Sequence, residues 1–498
     1  MNVPSVTGFL LLVSAAAVWV GWARGWLLYY GDAEAHLNIA RRIVDSQTPG
    51  YDQVGTVWLP LPHWLMLPFA RSDACWHSGL AASLPPAVCF VLAGAFLFAA
   101  ARRFFQSPAA GLTATALFAL NPNLLYLQST GMTEAVFFAA LMAVLYFTVR
   151  FRDTQGWGAV AGAGIAACAG TLTRYEGWFL IPFVAAYFLI AARRRRFAAA
   201  MLFCTLASMG PLFWMAHNWW LAGDPLDFYR GPYSARAIQG GKPYPGKGDW
   251  RTAWLFFRTA AHLCAGPGLA LVAIGGAAAA LTKRIFWPLI LLALPGVFIV
   301  WSVHSAGTPI FVPSLWFGSY YNTRYGLAAL PLLAVAAAGL VAITPLRLRA
   351  VFAVLVIAAG AIYWLVHPQP REWVVWEEAR VYSEARRQWV LEAADYLAPR
   401  YRPGSGIITS FGDLTAIYRR LGIPLRETFT GDNGLPWLST VMRPGPFLWQ
   451  EWAVARDGDA VQDVVRRAGC YTLEKSITVK DAPAVEIYRR TGGIHGTA

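Results

Sequence analysis

The chain of 498 residues is 57% hydrophobic and only 14% charged, with a mean hydropathy of +0.44. A soluble globular chain carries about 25% charged residues, so this composition excludes an ordinary soluble protein and reads as a polytopic membrane protein with some water-exposed mass. The net charge of +14 is explained first by Arg and Lys in cytoplasmic loops; no nucleic-acid-binding motif is present and no nucleic acid is expected as a partner.

Taken in order, apolar runs predict helical spans at 6–28, 79–100, 109–127, 132–149, 157–173, 177–192, 198–221, 262–282, 285–304, 324–343 and 350–366, about eleven in all. The first lacks a basic leader and a small-residue cleavage site before Tyr29, so it reads as a retained signal anchor. The fifth and sixth are short and separated only by Arg174-Tyr175-Glu176, which suits tilted or re-entrant segments. Arg102-Arg103, Arg150 with Arg152, Arg193 to Arg196, Lys283-Arg284 and Arg347 with Arg349 fall in every second connection. These connections are short, so the positive-inside rule places them, and the amino terminus, in the cytoplasm. The external connections are then 29–78, the turns near 128–131 and 174–176, the loops 222–261 and 305–323, and everything after 367. The six cysteines are scattered, mostly within apolar runs, without metal-ligand spacing.

After His367 the long apolar runs stop. Segment 371–498 predicts a helix (377–397), a strand (406–410), a helix (414–421), a Gly/Pro/Asn-rich loop, a strand (446–454), a helix (460–468) and strands near 471–479 and 485–488. The alternation points to a small α/β domain. It carries no glycine-rich phosphate loop and is assigned no catalytic role. The expected fold is thus an α-helical polytopic membrane protein with a small carboxyl-terminal α/β domain outside the membrane.

Chemistry concentrates in the external connections. Asp32 and Glu34 follow Tyr29-Tyr30-Gly31 where the first span leaves the lipid. Ala33, Leu37, Ala40 and Val44 form one helical stripe with Arg41 and Arg42 off it, which predicts an amphipathic helix on the outer membrane surface. In the plain reading Asp32 caps that helix and Glu34 complements its positive end. In the functional reading, two carboxylates beside His36 serve a reaction, one taking a proton from an attacking hydroxyl, or the pair helping to hold a divalent cation. Segment 51–69, interrupted by Pro60, Pro62 and Pro68, predicts a second interfacial segment, with His63 structural or in contact with ligand. Glu134 opens the fourth span as a first-turn acid. Thr173-Arg174-Tyr175-Glu176 carries a capping-box pattern that makes Glu176 a cap. Arg174 and Arg324 are cations on the external side among apolar helices, where charge pairs or faces a cavity, and guanidinium suits the phosphate of a lipid-linked ligand. Asp224, Asp227, Tyr229, Arg230, Tyr233 and Arg236 in the loop after His217-Asn218-Trp219-Trp220 suit sugar hydroxyls and pyranose faces, and equally an interfacial aromatic belt.

Gly31-Asp32-Ala33-Glu34, Thr130-Gly131-Met132-Thr133-Glu134, Thr173-Arg174-Tyr175-Glu176-Gly177 and Asn322-Thr323-Arg324-Tyr325-Gly326, in this order on the external side, resemble the GT-C superfamily. Within it they look most like the bacterial branch related to protein O-mannosyltransferases and to the aminoarabinose transferase of lipid A. The resemblance spans most of 1–366, which it makes a catalytic transmembrane domain. It implies a glycosyltransferase of the bacterial inner membrane that moves a sugar from a polyprenyl-phosphate donor to a hydroxyl acceptor on the outer face. It implies Asp32 as base or acceptor-positioning carboxylate, helped by Glu34. The candidate substrate-binding residues, from the residues and the motifs together, are Arg174, Glu176, Arg324, Glu134, His63, Tyr325, Asp224 and Tyr229. The resemblance fixes no cofactor, and a divalent cation at Asp32 and Glu34 is left open. Two departures stand out. Relatives place Lys or His before a Pro-Pro pair where this chain has Leu59-Pro60-Leu61-Pro62-His63, and mannosyl members carry Asp-Glu where this chain has Asp-x-Glu. The latter spacing also resembles oligosaccharyltransferase subunits, whose Trp-Trp-Asp signature is absent from 371–498. A flippase or transporter of a lipid-linked sugar is the rival from another class. Transporters carry charge near the midplane of repeated halves, and no halves repeat here. A surface-polysaccharide polymerase or ligase shares the donor chemistry without these motifs.

Overall fold

The apolar runs fold as helices, and the breaks between them follow local chemistry. The computed structural model describes residues 2–239, 241–412, 414–480 and 482–491. Among the described residues, seven helices are long and apolar enough to cross a membrane: Val3–Ala23, Leu80–Phe105, Glu134–Thr154, Arg196–Ala222, Phe286–His304, Thr323–Ile343 and Leu346–Val366. Three shorter apolar helices, Pro108–Ala119, Trp157–Thr171 and Glu176–Ala191, accompany them. Two predicted spans are corrected. The run 109–127 divides because the Asn121 side chain accepts from Leu124 N and Pro122 starts a new helix, Pro122–Leu127. The run 262–282 divides at Gly266, where helices Trp250–Ala265 and Pro267–Thr282 meet at 106°. Gly266 has φ +83°, and Pro267 cannot donate back into the first arm.

The chain forms two compact units. The first comprises Met1–Gly21, Thr56–Pro62 and Leu84–Glu378; the second comprises Trp22–Gly55, His63–Ser83 and Ala379–Ala498. In the first unit, small residues let helices approach to backbone contact, as membrane helices require where no hydrophobic drive joins them. A Cβ added at Gly276 would overlap the Ala336 carbonyl, and one at Gly339 would overlap the Gly276 carbonyl. Gly276→Ala is therefore expected to push Pro267–Thr282 off Leu330–Ile343 and cost about 1–3 kcal/mol, read as a lower denaturant midpoint in detergent. A midpoint equal to wild type would show that the helices can separate freely. One end of this unit gathers basic connections: Arg103 Nε lies 2.5 Å from Asp153 Oδ2, and Gln155 Oε1 accepts from Arg193 N at 2.9 Å.

The second unit holds a five-stranded sheet in the order β2-β1-β3-β5-β4. The strands are β1 (Ile407–Thr409), β2 (Thr428–Phe429), β3 (Trp452–Arg456), β4 (Tyr471–Ile477) and β5 (Val485–Arg490). β1 runs parallel to β2 and β3, while β5 is antiparallel to β3 and β4. Alternation sends Ile407, Trp452, Val454 and Ile487 to one face, against Trp389, Ala393 and Leu397 of helix Val374–Leu397. Ile408, Ala453, Ala455 and Tyr488 go to the other, against Val461, Val464 and Val465 of helix Ala460–Ala468. Both faces are covered, so β1 and β3 read as nearly continuous apolar runs. The strand predicted at 446–454 starts later, at Trp452, because Pro444–Phe447 turns helically.

Candidate functional site

Asp32 and Glu34 lie in the first turn of helix Gly31–Arg42. Asp32 is not the cap; the N-cap is Tyr30, and no side-chain cap bond forms there. The two carboxylates differ sharply. Glu34 is 2% exposed and receives Arg419 Nε at 2.9 Å and Arg419 Nη2 at 3.0 Å, one to each oxygen. Asn38 Nδ2 adds a third donor at 3.1 Å, and its own oxygen accepts from Trp76 Nε1 at 2.9 Å. Asp32 is only half-buried. The approach to the helix is also pinned: Arg386 donates to the carbonyls of Leu28 and Tyr29, and Arg387 Nη1 reaches the Tyr29 hydroxyl at 2.8 Å.

The helix is not the surface helix that its stripe predicts. Arg41 and Arg42 are buried, because Arg41 bonds Asp45 at 2.8 Å and Asp73 at 2.6 Å while Arg42 meets Asp432 at 2.6 Å. Burial pulls Arg42 below its ordinary value, and Asp432 opposes that. His36 and His63 are both buried, with Nδ1 and Nε2 2.8 Å apart. One ring must donate and the other accept. His36 follows Asp32 by four residues and shares its helix face.

In the first unit a second charged group is built on turns. Glu134 starts its helix, yet its side chain serves distant residues: Oε1 accepts from Arg174 Nη1 at 3.0 Å and from Arg324 Nε at 3.2 Å. Its Oε2 is buried without a hydrogen-bond partner among the described residues. Arg174 also donates to Thr133 at 3.0 Å and, through Nε and Nη2, to Glu176 at 2.8 and 2.7 Å. The capping box is not formed. The helix Glu176–Ala191 has Tyr175 as its N-cap, and the Thr173 hydroxyl is given to Ala169 O. The ring of Tyr325 lies 5.2 Å from the Arg174 guanidinium and 5.3 Å from that of Arg324. Leu61 N donates to Leu172 O and the Tyr175 hydroxyl to Val57 O, which fixes segment Thr56–Pro62 against this turn.

Glu378 was not expected. It is buried, accepts from the backbone N–H of Asn322 and Thr323 at 2.9 and 2.7 Å and from the Thr323 hydroxyl, and lies 3.7 Å from Arg324 Nη1. Burial pushes its carboxyl up, against Arg324 and Thr323, which hold it down. Only its place in the acidic start of a helix marks it in the sequence. Two guanidiniums therefore meet three carboxylates, a group closer to neutral than the two cations alone imply. Asp224 and Tyr229 bond within their own loop: Asp224 accepts from Leu226 N, and the Tyr229 hydroxyl accepts from Arg236.

The carboxylate pair does not fit a divalent cation, since both oxygens of Glu34 face Arg419. Among the described residues no group of three or more His, Cys, Asp or Glu side chains could hold a metal ion. Arg419→Ala is expected to leave the Glu34 carboxylate buried and unpaired, at a cost of about 3–5 kcal/mol. Thermal unfolding checks this, and a loss below about 1 kcal/mol would mean that water replaces the guanidinium readily.

The sequence profile of the dolichyl-phosphate-mannose-protein mannosyltransferase family matches residues 60–220. Among curated proteins no relative matches by sequence. The ArnT of Cupriavidus metallidurans bound to undecaprenyl phosphate superposes with a TM-score of 0.55 at 13% identity, over 97% of this chain and 98% of that one. The Archaeoglobus fulgidus oligosaccharyltransferase in its apo form gives 0.54 at 14% identity, over 91% of this chain and 69% of that one. Helices, sheet and acidic and basic turns thus occur in one chain whose fold is similar to that of these two membrane enzymes.

Proposed function

We propose that the protein transfers a sugar, of the hexosyl or mannosyl type, from a polyprenyl-phosphate donor to a hydroxyl of a protein, lipid or glycan, at the outer face of a bacterial inner membrane. The acceptor oxygen bonds to the anomeric carbon, the bond from that carbon to the phosphate oxygen breaks, and polyprenyl phosphate leaves. Asp32 takes the acceptor's proton. The observation that carries this reading is the unequal use of two carboxylates in one helical turn: Glu34 is sealed beneath Arg419, and Asp32 stays accessible. Glu34 is then a strut that fixes the turn. Arg324 offsets charge on the departing phosphate; its contacts to Glu134 and Glu378, at 3.2 and 3.7 Å, are looser than those of Arg174, which acts as a brace. The buried Oε2 of Glu134 suits a sugar hydroxyl as donor.

The test is transfer from a panel of polyprenyl-phosphate sugars by the full chain in detergent. Turnover lost in Asp32→Asn supports the reading, and a chelator is expected to leave the rate unchanged. Chelator inhibition would overturn the metal-free chemistry. Bound donor with no turnover or hydrolysis would favour a flippase.

A further inference from the structure

The four consecutive arginines Arg193 to Arg196 join helix Glu176–Ala191 to helix Arg196–Ala222. The positive-inside rule accounts for their sign but not for their arrangement. Arg193, Arg194 and Arg195 line a cavity of 350 Å³ together with Phe151 and Trp157. Gln155 builds this wall. Its Nε2 donates to Phe151 O and Ala191 O, both at 3.2 Å, and its Oε1 accepts from Arg193 N at 2.9 Å. One side chain thus ties the end of Glu134–Thr154 to the arginine turn. Both Gln155 and Arg195 hold positive φ, +52° and +50°. Left-handed backbone at a residue other than glycine is uncommon and persists where the surroundings enforce it.

Charge is uncompensated here, unlike at Arg103 and Arg152. Arg103 and Arg152 share Asp153, at 2.5 and 3.4 Å. Among the described residues no carboxylate lies within ion-pair distance of Arg193, Arg194, Arg195 or Arg196. Phe151 and Trp157 give the cavity an apolar wall, and in the flanking helices Ile190 is 84% exposed and Phe197 72%. A basic cup with an apolar wall, at the end of a membrane-spanning helix, matches an amphiphile with an anionic head. Guanidinium binds phosphate oxygens in paired fashion, and basic pockets between spanning helices suit anionic lipid headgroups.

We propose that Arg193, Arg194 and Arg195, set by Gln155, form a binding site for the phosphodiester headgroup of an anionic membrane lipid. The acyl chains lie along Ile190, Trp157 and Phe197. The site is independent of the transfer reaction proposed above, since none of its residues takes part in it.

Native mass spectrometry of the full chain in detergent tests the site, with phosphatidylglycerol, phosphatidylcholine or inorganic phosphate titrated in. Phosphatidylglycerol is expected to bind in preference to phosphatidylcholine and to survive millimolar phosphate. Arg194→Gln combined with Arg195→Asn, the latter tolerant of positive φ, should weaken it by about fivefold for each arginine removed. Arg347→Gln, which removes an exposed arginine elsewhere, should change binding less than about twofold. Gln155→Ala keeps every charge and should still weaken binding. Equal affinity for phosphatidylcholine, or an equal loss in Arg347→Gln, would reduce the site to diffuse surface charge. Displacement by inorganic phosphate would assign it to a soluble anion. Unchanged binding in Gln155→Ala would remove the built pocket.

Discussion

Asp32→Asn is expected to lower the transfer rate by about 10²–10⁴-fold, the usual contribution of a positioned general base. The amide keeps the size of the carboxylate but cannot accept a proton at neutral pH. Folding should hardly change, because Asp32 is half-buried and the helix begins without a side-chain cap. Glu34→Gln should show the reverse balance. It leaves the buried end of Arg419 facing an uncharged partner, so stability falls, and rate falls only as far as the turn loosens. Measuring kcat and Tm for both variants separates the two roles. An Asp32→Asn enzyme with wild-type kcat would end the base assignment. One that loses Tm in step with activity would make Asp32 a structural residue.

Glu134→Ala is expected to cost about 3–5 kcal/mol of stability, because it strips a shared acceptor from the buried Arg324 and the half-buried Arg174. Arg174 would keep Glu176 at 2.7 Å, whereas Arg324 would lose its 3.2 Å contact and keep the longer one to Glu378. Glu134→Gln retains an oxygen at the same place and should cost less. If Oε2 also meets a substrate hydroxyl, Glu134→Gln raises KM while most of the stability survives. Denaturant titration of both variants decides the first point. Less than about 1 kcal/mol lost in Glu134→Ala would show a solvated network, the usual case for surface pairs.

Arg174 was legible as a charge out of place. A cation among apolar helices must pair or face a cavity, and it pairs with Glu134 and Glu176. In the sequence its partners look like helix-start acids, since local spacing reports only what neighbours along the chain can do. The same limit hid Glu378, which lies 55 residues from Thr323, and Arg419, which lies 385 from Glu34. Arg41 and Arg42 went to the polar side of a helical stripe because a helix period registers polarity and not the acids that arrive from elsewhere to bury it.

Hydropathy and helix period alone determined most of the apolar helices, the basic connections and the alternation of helix and strand after His367, but not the short strand β2 or the order of strands in the sheet. Those properties are local: each apolar run must leave water, and each proline, glycine or capping residue acts within one turn. Tertiary structure alone decided which carboxylate stays accessible and which is sealed, which arginines are neutralised, and where the arginine turn forms a cup. Charges separated by hundreds of residues settle these matters through geometry at about 3 Å, where desolvation and pairing compete and no period in the sequence records the outcome.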